Sequence, residues 1–282
     1  MLVRSEWITA DIIERMPSIK ILARHGVGVD RVDVEKATAC GILVTNTPKS
    51  NANAVAEHTV SLMLALGRDL LNLDKAVRSG RYADAKKTPS IDMRNSVVGL
   101  LGYGNIGRIV AEKVRKGFDA NVIAYDPALS PGNYDGVTLV PSMADVFCQS
   151  DFVSLQMKLT DATYQIIGME QFKLMKPTAY LINCARSKII REQELYQALR
   201  DRVFRAAAID VFEPEPPKPD NPLFALDNVI LTPHMGGNSQ DALRTVGADA
   251  AMCIDQALSG KDVPWQVNQP LCPRLKQLKT TA

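Results

Sequence analysis

The chain is poor in residues that would staple it, anchor it or hold a metal. Its five cysteines (Cys40, Cys148, Cys184, Cys253 and Cys272) are odd in number and widely spaced, with neither a CxxC pair nor a Cys/His ligand pattern. That excludes a disulfide framework and a zinc module, so no metal site is expected, and it suits a reducing compartment. The apolar run Val60–Leu66 is interrupted by Ser61 and is far too short to span a bilayer. Met1-Leu2-Val3-Arg4-Ser5-Glu6 shows no basic segment leading into a long apolar one, so no signal peptide is expected and a cytoplasmic location is. Charge of one sign is also lacking. With a formal net charge of +2 and no basic cluster, neither nucleic acid nor a membrane surface is an expected partner. Internal repeats and low-complexity tracts are absent.

What remains is an ordinary globular composition, with 46% hydrophobic and 23% charged residues over 282 positions. This is enough for two modest domains or one large one. The most informative stretch is Gly102-Tyr103-Gly104-Asn105-Ile106-Gly107. Before it, Ser96–Leu101 reads as a buried parallel strand. After it, Ile106–Lys116 has helical spacing at Ile106, Ile109, Val110 and Val114. A second strand-like run, Val122–Tyr125, ends in Asp126. This order is the dinucleotide fingerprint. Gly102 permits the tight turn, Gly104 lets the backbone approach a pyrophosphate, and Gly107 allows helix and strand to pack closely. The N–H groups at the helix start, including those of Asn105 and Ile106, face the phosphates. Asp126 accepts from the adenosine ribose hydroxyls and repels a 2′-phosphate, which favours NAD.

From Ser96 onward, strand and helix patterns alternate. Strands are expected at Phe152–Leu155, Ala179–Ile182, Ala206–Ile209 and Val229–Thr232. Helices are expected near Met143–Cys148, Met169–Met175 and Glu192–Leu199. Such alternation implies an α/β fold with a doubly wound parallel sheet, whose ligands sit beyond the carboxyl ends of the strands. Asp126, Asn183, Asp210 and Pro233 fall at those ends. The earlier segment repeats the style on a smaller scale, with strands at Ile19–Ala23 and Ile42–Val44 and a short helix at Val32–Thr38. Asn53–Arg78 reads as one long helical stretch with a wide apolar surface. It is either a core helix packed on both sides or one that also lines a subunit interface. Lys86–Pro89 and the proline-stiffened Glu213–Pro222 read as loops, and the polar, basic tail from Cys272 as loose.

A bound nicotinamide suggests hydride transfer, which needs an acid/base group and a fixed cation near the substrate carbonyl. The chain has three histidines. His25 lies in a glycine-rich turn, and His58 lies in the long helical stretch, where a solvated or capping role is expected. His234, in Pro233-His234-Met235-Gly236-Gly237, directly follows the last strand and so lies at the ligand edge. A carboxylate partner would hold its ring and favour the charged form. Glu213 and Glu215 are both placed for this. Arg186, after Asn183-Cys184-Ala185, offers a planar guanidinium that can hold the carboxylate and keto oxygen of a 2-oxo acid together.

These motifs, with Gly26-Val27-Gly28-Val29-Asp30, Asn46-Thr47-Pro48 and Asp210-Val211-Phe212-Glu213-Pro214-Glu215-Pro216, run in order from about Leu2 to Asn268. The chain resembles the D-isomer-specific 2-hydroxyacid dehydrogenases, in the branch with phosphoglycerate, hydroxypyruvate and formate dehydrogenases. The resemblance implies a Rossmann domain over 61–237. It also implies a smaller, flavodoxin-like substrate domain over 1–60, completed by 238–282. It makes Arg186 the substrate-binding and polarising arginine, His234 the acid/base and Glu215 its carboxylate. Asp210 would contact the nicotinamide carboxamide, and the Val27 and Gly28 N–H groups would take the substrate carboxylate. Arg24 aligns with an arginine that favours an anionic substrate. The family works as homodimers, with the long helix at the interface.

Three departures stand out. Met1–Ser5 matches a point already inside the substrate domain, which implies either a mis-assigned start or a truncated sheet there. Ser187 stands where the family usually has glycine, and its Cβ is expected to restrict the turn that aims Arg186. Gln156-Met157-Lys158 replaces a stretch that usually ends in proline, adding a cation beside the cofactor. The chain ends soon after the dehydrogenase core, and no appended regulatory domain is expected. The expected activity is NAD-dependent interconversion of a small 2-oxo acid and its D-2-hydroxy acid. The alternative is a catalytically impaired NAD(H)-sensing interaction protein of the same fold.

Overall fold

The computed structural model describes residues 1–85 and 90–275. The chain divides into two compact units, Met1–Ala54 with Gly237–Ala282, and Val55–Gly236. The expected loop Lys86–Pro89 and the tail beyond residue 275 lie outside the described residues.

The first unit opens with β1 (Leu2–Val3), α1 (Ala10–Glu14), β2 (Ile21–Arg24), α2 (Val34–Ala39) and β3 (Leu43–Thr45). The strands form a parallel sheet in the order β1-β2-β3. Leu22, Ile42 and Val44 bury one face with Ile13 of α1 and Ala37 of α2. Asp33 caps α2 by accepting from the Lys36 N–H at 2.8 Å. The turn after β2 is a positive-φ glycine, Gly26 at +134°. Its N–H donates to Thr47 Oγ1 at 3.1 Å and its carbonyl accepts from Thr47 N at 3.0 Å, while Asn46 Nδ2 donates to Val27 O at 2.8 Å. The Asn46-Thr47 pair thus fixes the loop that carries Val27 and Gly28.

In the second unit the chain runs through α3 (Ala52–Gly67, in this unit from Val55), α4 (Leu70–Arg78), α5 (Tyr82–Ala85), β4 (Val97–Leu101), α6 (Asn105–Phe118), β5 (Asn121–Tyr125), β6 (Gly132–Tyr134) and β7 (Val137–Leu139). It continues with α7 (Met143–Gln149), β8 (Phe152–Leu155), α8 (Met169–Phe172), β9 (Tyr180–Asn183), α9 (Glu192–Arg200), β10 (Ala206–Ile209) and β11 (Val229–Leu231). The sheet order is β11-β10-β9-β8-β4-β5-β7-β6, parallel except for β6 against β7. After β4 the chain builds outward through β5, then returns to add β8 on the other side. The order therefore reverses between β4 and β8, and ligands of such sheets bind at that reversal. Alternate residues feed two cores. Val98, Leu100, Ile182 and Ala208 pack with α3 and α6, while Leu155, Leu181, Ala207 and Ile209 pack on the opposite face with α7 and α9.

α10 (Gln240–Leu258) belongs to the first unit, where Cys253 and Ala257 pack on Ile21 and Leu43. The following segment covers the outer edge of β3, with Val267 N donating to Val44 O at 2.8 Å and Asn268 Oδ1 accepting from Val44 N at 2.7 Å.

Several expectations need correction. The stretch Asn53–Arg78 is two helices, broken where Asp69 takes a left-handed φ of 52°. The two compact units divide within α3, at Val55, against the expected residue 61. The segment Cys272–Leu275 is not loose. Arg274 Nη1 donates to the carbonyls of Met16, Pro17 and Ile19, and Arg274 N to Gly41 O. Among the described residues, no helix is long and apolar enough to cross a membrane.

Candidate active site

The ladder register aligns the strand ends of the second unit. Tyr125, Leu101, Leu155, Asn183, Ile209 and Leu231 are successive partners across β5, β4, β8, β9, β10 and β11. One residue further on, Asp126, Gly102, Gln156, Cys184, Asp210 and Thr232 line the carboxyl edge of the sheet. From β4 to β11 this edge covers four strand spacings, roughly 19 Å, which an extended dinucleotide can lie across.

At the β4 end, Gly102 has φ +103°, and a Cβ there would lie 2.8 Å from the Gln156 backbone. A Cβ on Gly107 would lie 2.4 Å from Gly102 O, so strand and helix pack too closely for a side chain. Gly104 is the N-cap of α6, and a Cβ there would meet nothing within 4 Å. Its bareness therefore serves no packing need of the protein. It keeps the start of α6 bare of a side chain at the N-cap, as the approach of a phosphate requires. Asp126 is fixed by its own neighbours, accepting from Tyr103 N at 2.9 Å and from Ala128 N at 3.0 Å. These residues fit a dinucleotide. Lys158 is exposed just beyond the Gln156–Met157 backbone that packs on Gly102.

At the far end, His234 Nδ1 lies 2.9 Å from Glu215 Oε1 and 3.0 Å from Oε2. The carboxylate is anchored by the Phe212 N–H at 3.2 Å. Glu213, the other carboxylate of that loop, pairs with Lys188 at 3.1 Å instead. Arg186 stands beyond β9. Asn183 Nδ2 donates to its carbonyl at 3.0 Å, and its Nη1 donates to Ala185 O at 2.8 Å. The ends of β9 and β11 are two strand spacings apart, about 10 Å, with β10 and Asp210 between them. The expected restriction from Ser187 is overturned. Ser187 opens a 3₁₀ turn and is not among the positive-φ residues, so a Cβ is tolerated there.

Asp210 is fully buried. Its Oδ1 accepts from the Thr232 hydroxyl at 2.6 Å and Met235 N at 2.8 Å, and its Oδ2 accepts from Gly236 N at 2.9 Å. Burial pushes its carboxyl up, but the donors His58, Thr232, Met235 and Gly236 together hold it below the usual value. His58 is thus not the solvated or capping residue that its position in a helical stretch suggested, since its Nε2 lies 3.3 Å from Asp210 Oδ1. The sequence held one signal for this. His58 falls at helical spacing between Val55 and Leu62, both buried. Burial, with Asp210 second, pushes the Cys184 thiol up to about 12, so it stays protonated.

In the first unit, His25 lies near Arg4 and Arg24. Burial and then these two charges push its imidazole below the ordinary value, and Arg24 Nη1 donates to His25 O. A cavity of about 390 Å³ near the amino-terminal end of the larger sheet is lined by Met63, Leu64, Met93, Phe118 and Phe152, among others. None of the sequence-predicted site residues borders it.

Residues 60–236 match the family described as D-isomer specific 2-hydroxyacid dehydrogenase, NAD binding domain. The chain is 41% identical over 271 residues to a D-3-phosphoglycerate dehydrogenase of Methanocaldococcus jannaschii, covering 95% of this chain and 51% of that one. It is 35% identical to a glyoxylate reductase of Thermofilum pendens, covering 93% and 78%. Among solved structures it resembles an acyclic imino acid reductase (Bsp5) in complex with NADPH and D-Arg, with TM-score 0.87 and 30% identity over 95% of this chain and 84% of that one. The chain spans about half the length of the phosphoglycerate dehydrogenases it matches.

Proposed function

The chain belongs to the D-isomer-specific 2-hydroxyacid dehydrogenase family, and from that premise we propose that it is an NAD-dependent oxidoreductase interconverting a small 2-oxo acid and its D-2-hydroxy acid. The observation that carries this reading is the His234–Glu215 pair, held past the end of β11 in the same sheet that presents the Gly102–Gly107 turn. A dinucleotide sensor needs no such pair.

Bound nicotinamide supplies or takes up the hydride. The rest falls to the chain's own residues. Glu215 accepts a hydrogen bond from His234 Nδ1–H and so favours the imidazolium, whose Nε2–H gives its proton to the carbonyl oxygen in reduction; the neutral ring takes it back in oxidation. Arg186 holds the carboxylate and polarises the keto oxygen. Asp126 would accept from the ribose hydroxyls and disfavour a 2′-phosphate, whereas the Asp210 carboxylate, buried and taken by the Thr232, Met235 and Gly236 donors, would not be free to accept from the nicotinamide carboxamide. The likeness to phosphoglycerate dehydrogenases favours a phosphorylated 2-oxo acid over glyoxylate or hydroxypyruvate.

The working form is a homodimer. The support is an apolar set left exposed along α4 and α5, formed by Leu70, Leu71, Val77 and Tyr82. A cytoplasmic location is supported by five cysteines that are all free thiols.

The test is NADH oxidation with phosphohydroxypyruvate, hydroxypyruvate and glyoxylate. Oxidation is expected with at least one, fastest with the phosphorylated acid. Tight NADH binding with no oxidation on any of the three would overturn the reading in favour of a sensor.

A further inference from the structure

His58 is the one histidine of the second unit for which the proposed chemistry has no use. It lies on α3 with a side chain 20% exposed, and its Nε2 stands 3.3 Å from both Asp210 Oδ1 and Thr232 Oγ1. Those two partners belong to the row one residue past the strand ends, on neighbouring β10 and β11. The Thr232 hydroxyl also donates to Asp210 Oδ1.

Asp210 is in turn the anchor of the turn that carries His234. His234 N donates to its main-chain oxygen at 2.8 Å, Met235 N to Oδ1 at 2.8 Å and Gly236 N to Oδ2 at 2.9 Å. Three successive N–H groups therefore close on one aspartate. They hold His234 at φ +55°, a left-handed conformation uncommon for a non-glycine residue.

We infer that His58 is a positioning residue for His234, acting through Asp210. It supplies the ring donor that keeps the buried carboxylate charged and aimed at the Met235 and Gly236 amides. This rests on the reading of His234 as the acid/base. A buried carboxylate must be compensated by donors. The neighbouring Cys184 thiol stays protonated and offers only a weak one. His58, Cys184 and Asp210 bring their ligand atoms within 4.8 Å of one another. Within this cluster the carboxylate is already engaged by the Thr232 hydroxyl and the Met235 and Gly236 amides.

The experiment compares the wild type with His58→Leu, which removes the donor, and His58→Gln, which restores one. It reads backbone amide exchange at Met235 and Gly236, with Ile182 and Leu100 as core controls, alongside NADH oxidation. In His58→Leu, the two turn amides should exchange roughly tenfold faster while the controls are unchanged. kcat should fall roughly tenfold with the KM for the 2-oxo acid little altered, and His58→Gln should recover both. Unchanged exchange at Met235 and Gly236, or faster exchange at all four amides together, would overturn the proposal. A selective change at the turn in a wild type that oxidises no NADH would instead sink the reductase reading and leave the anchoring intact.

Discussion

At φ +55°, His234 holds a conformation that costs a non-glycine residue roughly 1–2 kcal/mol, and Asp210 offsets that cost by binding the main chain of three consecutive residues. The same aspartate makes the fold sensitive to acid, with a definite sign. Its carboxyl titrates below its ordinary value because four donors outweigh burial. Its stabilisation is therefore complete above the unfolded value of about 3.9 and fades as pH falls through the lower folded value. Asp210→Asn should cost roughly 2 kcal/mol at neutral pH, and the gap between thermal melts of the two proteins should stay constant above the unfolded value of about 3.9 and narrow as pH falls below it. A gap that never narrows on the acid side would mean that the carboxylate charge contributes nothing. Asp210 was legible in the sequence because it directly follows the apolar run Ala206–Ile209, and Arg186 and His234 because each lies within three residues of such a run. His58 was not, because only the fold brings a helix of one segment against strand ends some 150 residues away.

The elements divide along the same line. Strands with β-branched or alanine-rich apolar runs, such as Phe152–Leu155 and Ala206–Ile209, were readable to the residue. α10 was not read as a helix, because its buried face uses small residues (Ala242, Ala250, Cys253 and Ala257) that stand out little from their neighbours. The β6–β7 hairpin escaped because its strands are three residues each. The break between α3 and α4 escaped because Asp69 is neither glycine nor proline. The glycine turn lends itself to a contrast. Gly104→Ala, at φ −83° with open space around its Cβ, should melt like the wild type yet bind NADH at least roughly tenfold more weakly. Gly107→Ala, whose Cβ would strike Gly102 O, should lose roughly 1–3 kcal/mol of stability before any cofactor is added. Calorimetry with NADH titration separates the two, and equal effects on melting would deny that Gly104 is kept bare for the ligand.

At the scale of the whole molecule, the alternation of strand and helix from Ser96 onward carried the doubly wound sheet, and the fingerprint carried its polarity. Subunit association could be read only as an open alternative, because a wide apolar surface does not say what covers it. The structure narrows this, burying Val60, Met63 and Leu66 of α3 while leaving Leu70, Leu71 and Val77 of α4 exposed. Leu71→Asp should convert a dimer to a monomer in light scattering, and a wild type that is already monomeric would contradict the proposed assembly.

The central claim is that His234 is the proton carrier for a small 2-oxo acid. Its most direct test is the turnover of His234→Ala with NADH and the best of the three acids, once fluorescence titration shows the cofactor still binding as in the wild type. A fall in kcat of roughly 10²–10⁴-fold at unchanged NADH affinity is the predicted result. A kcat indistinguishable from the wild type's would contradict it.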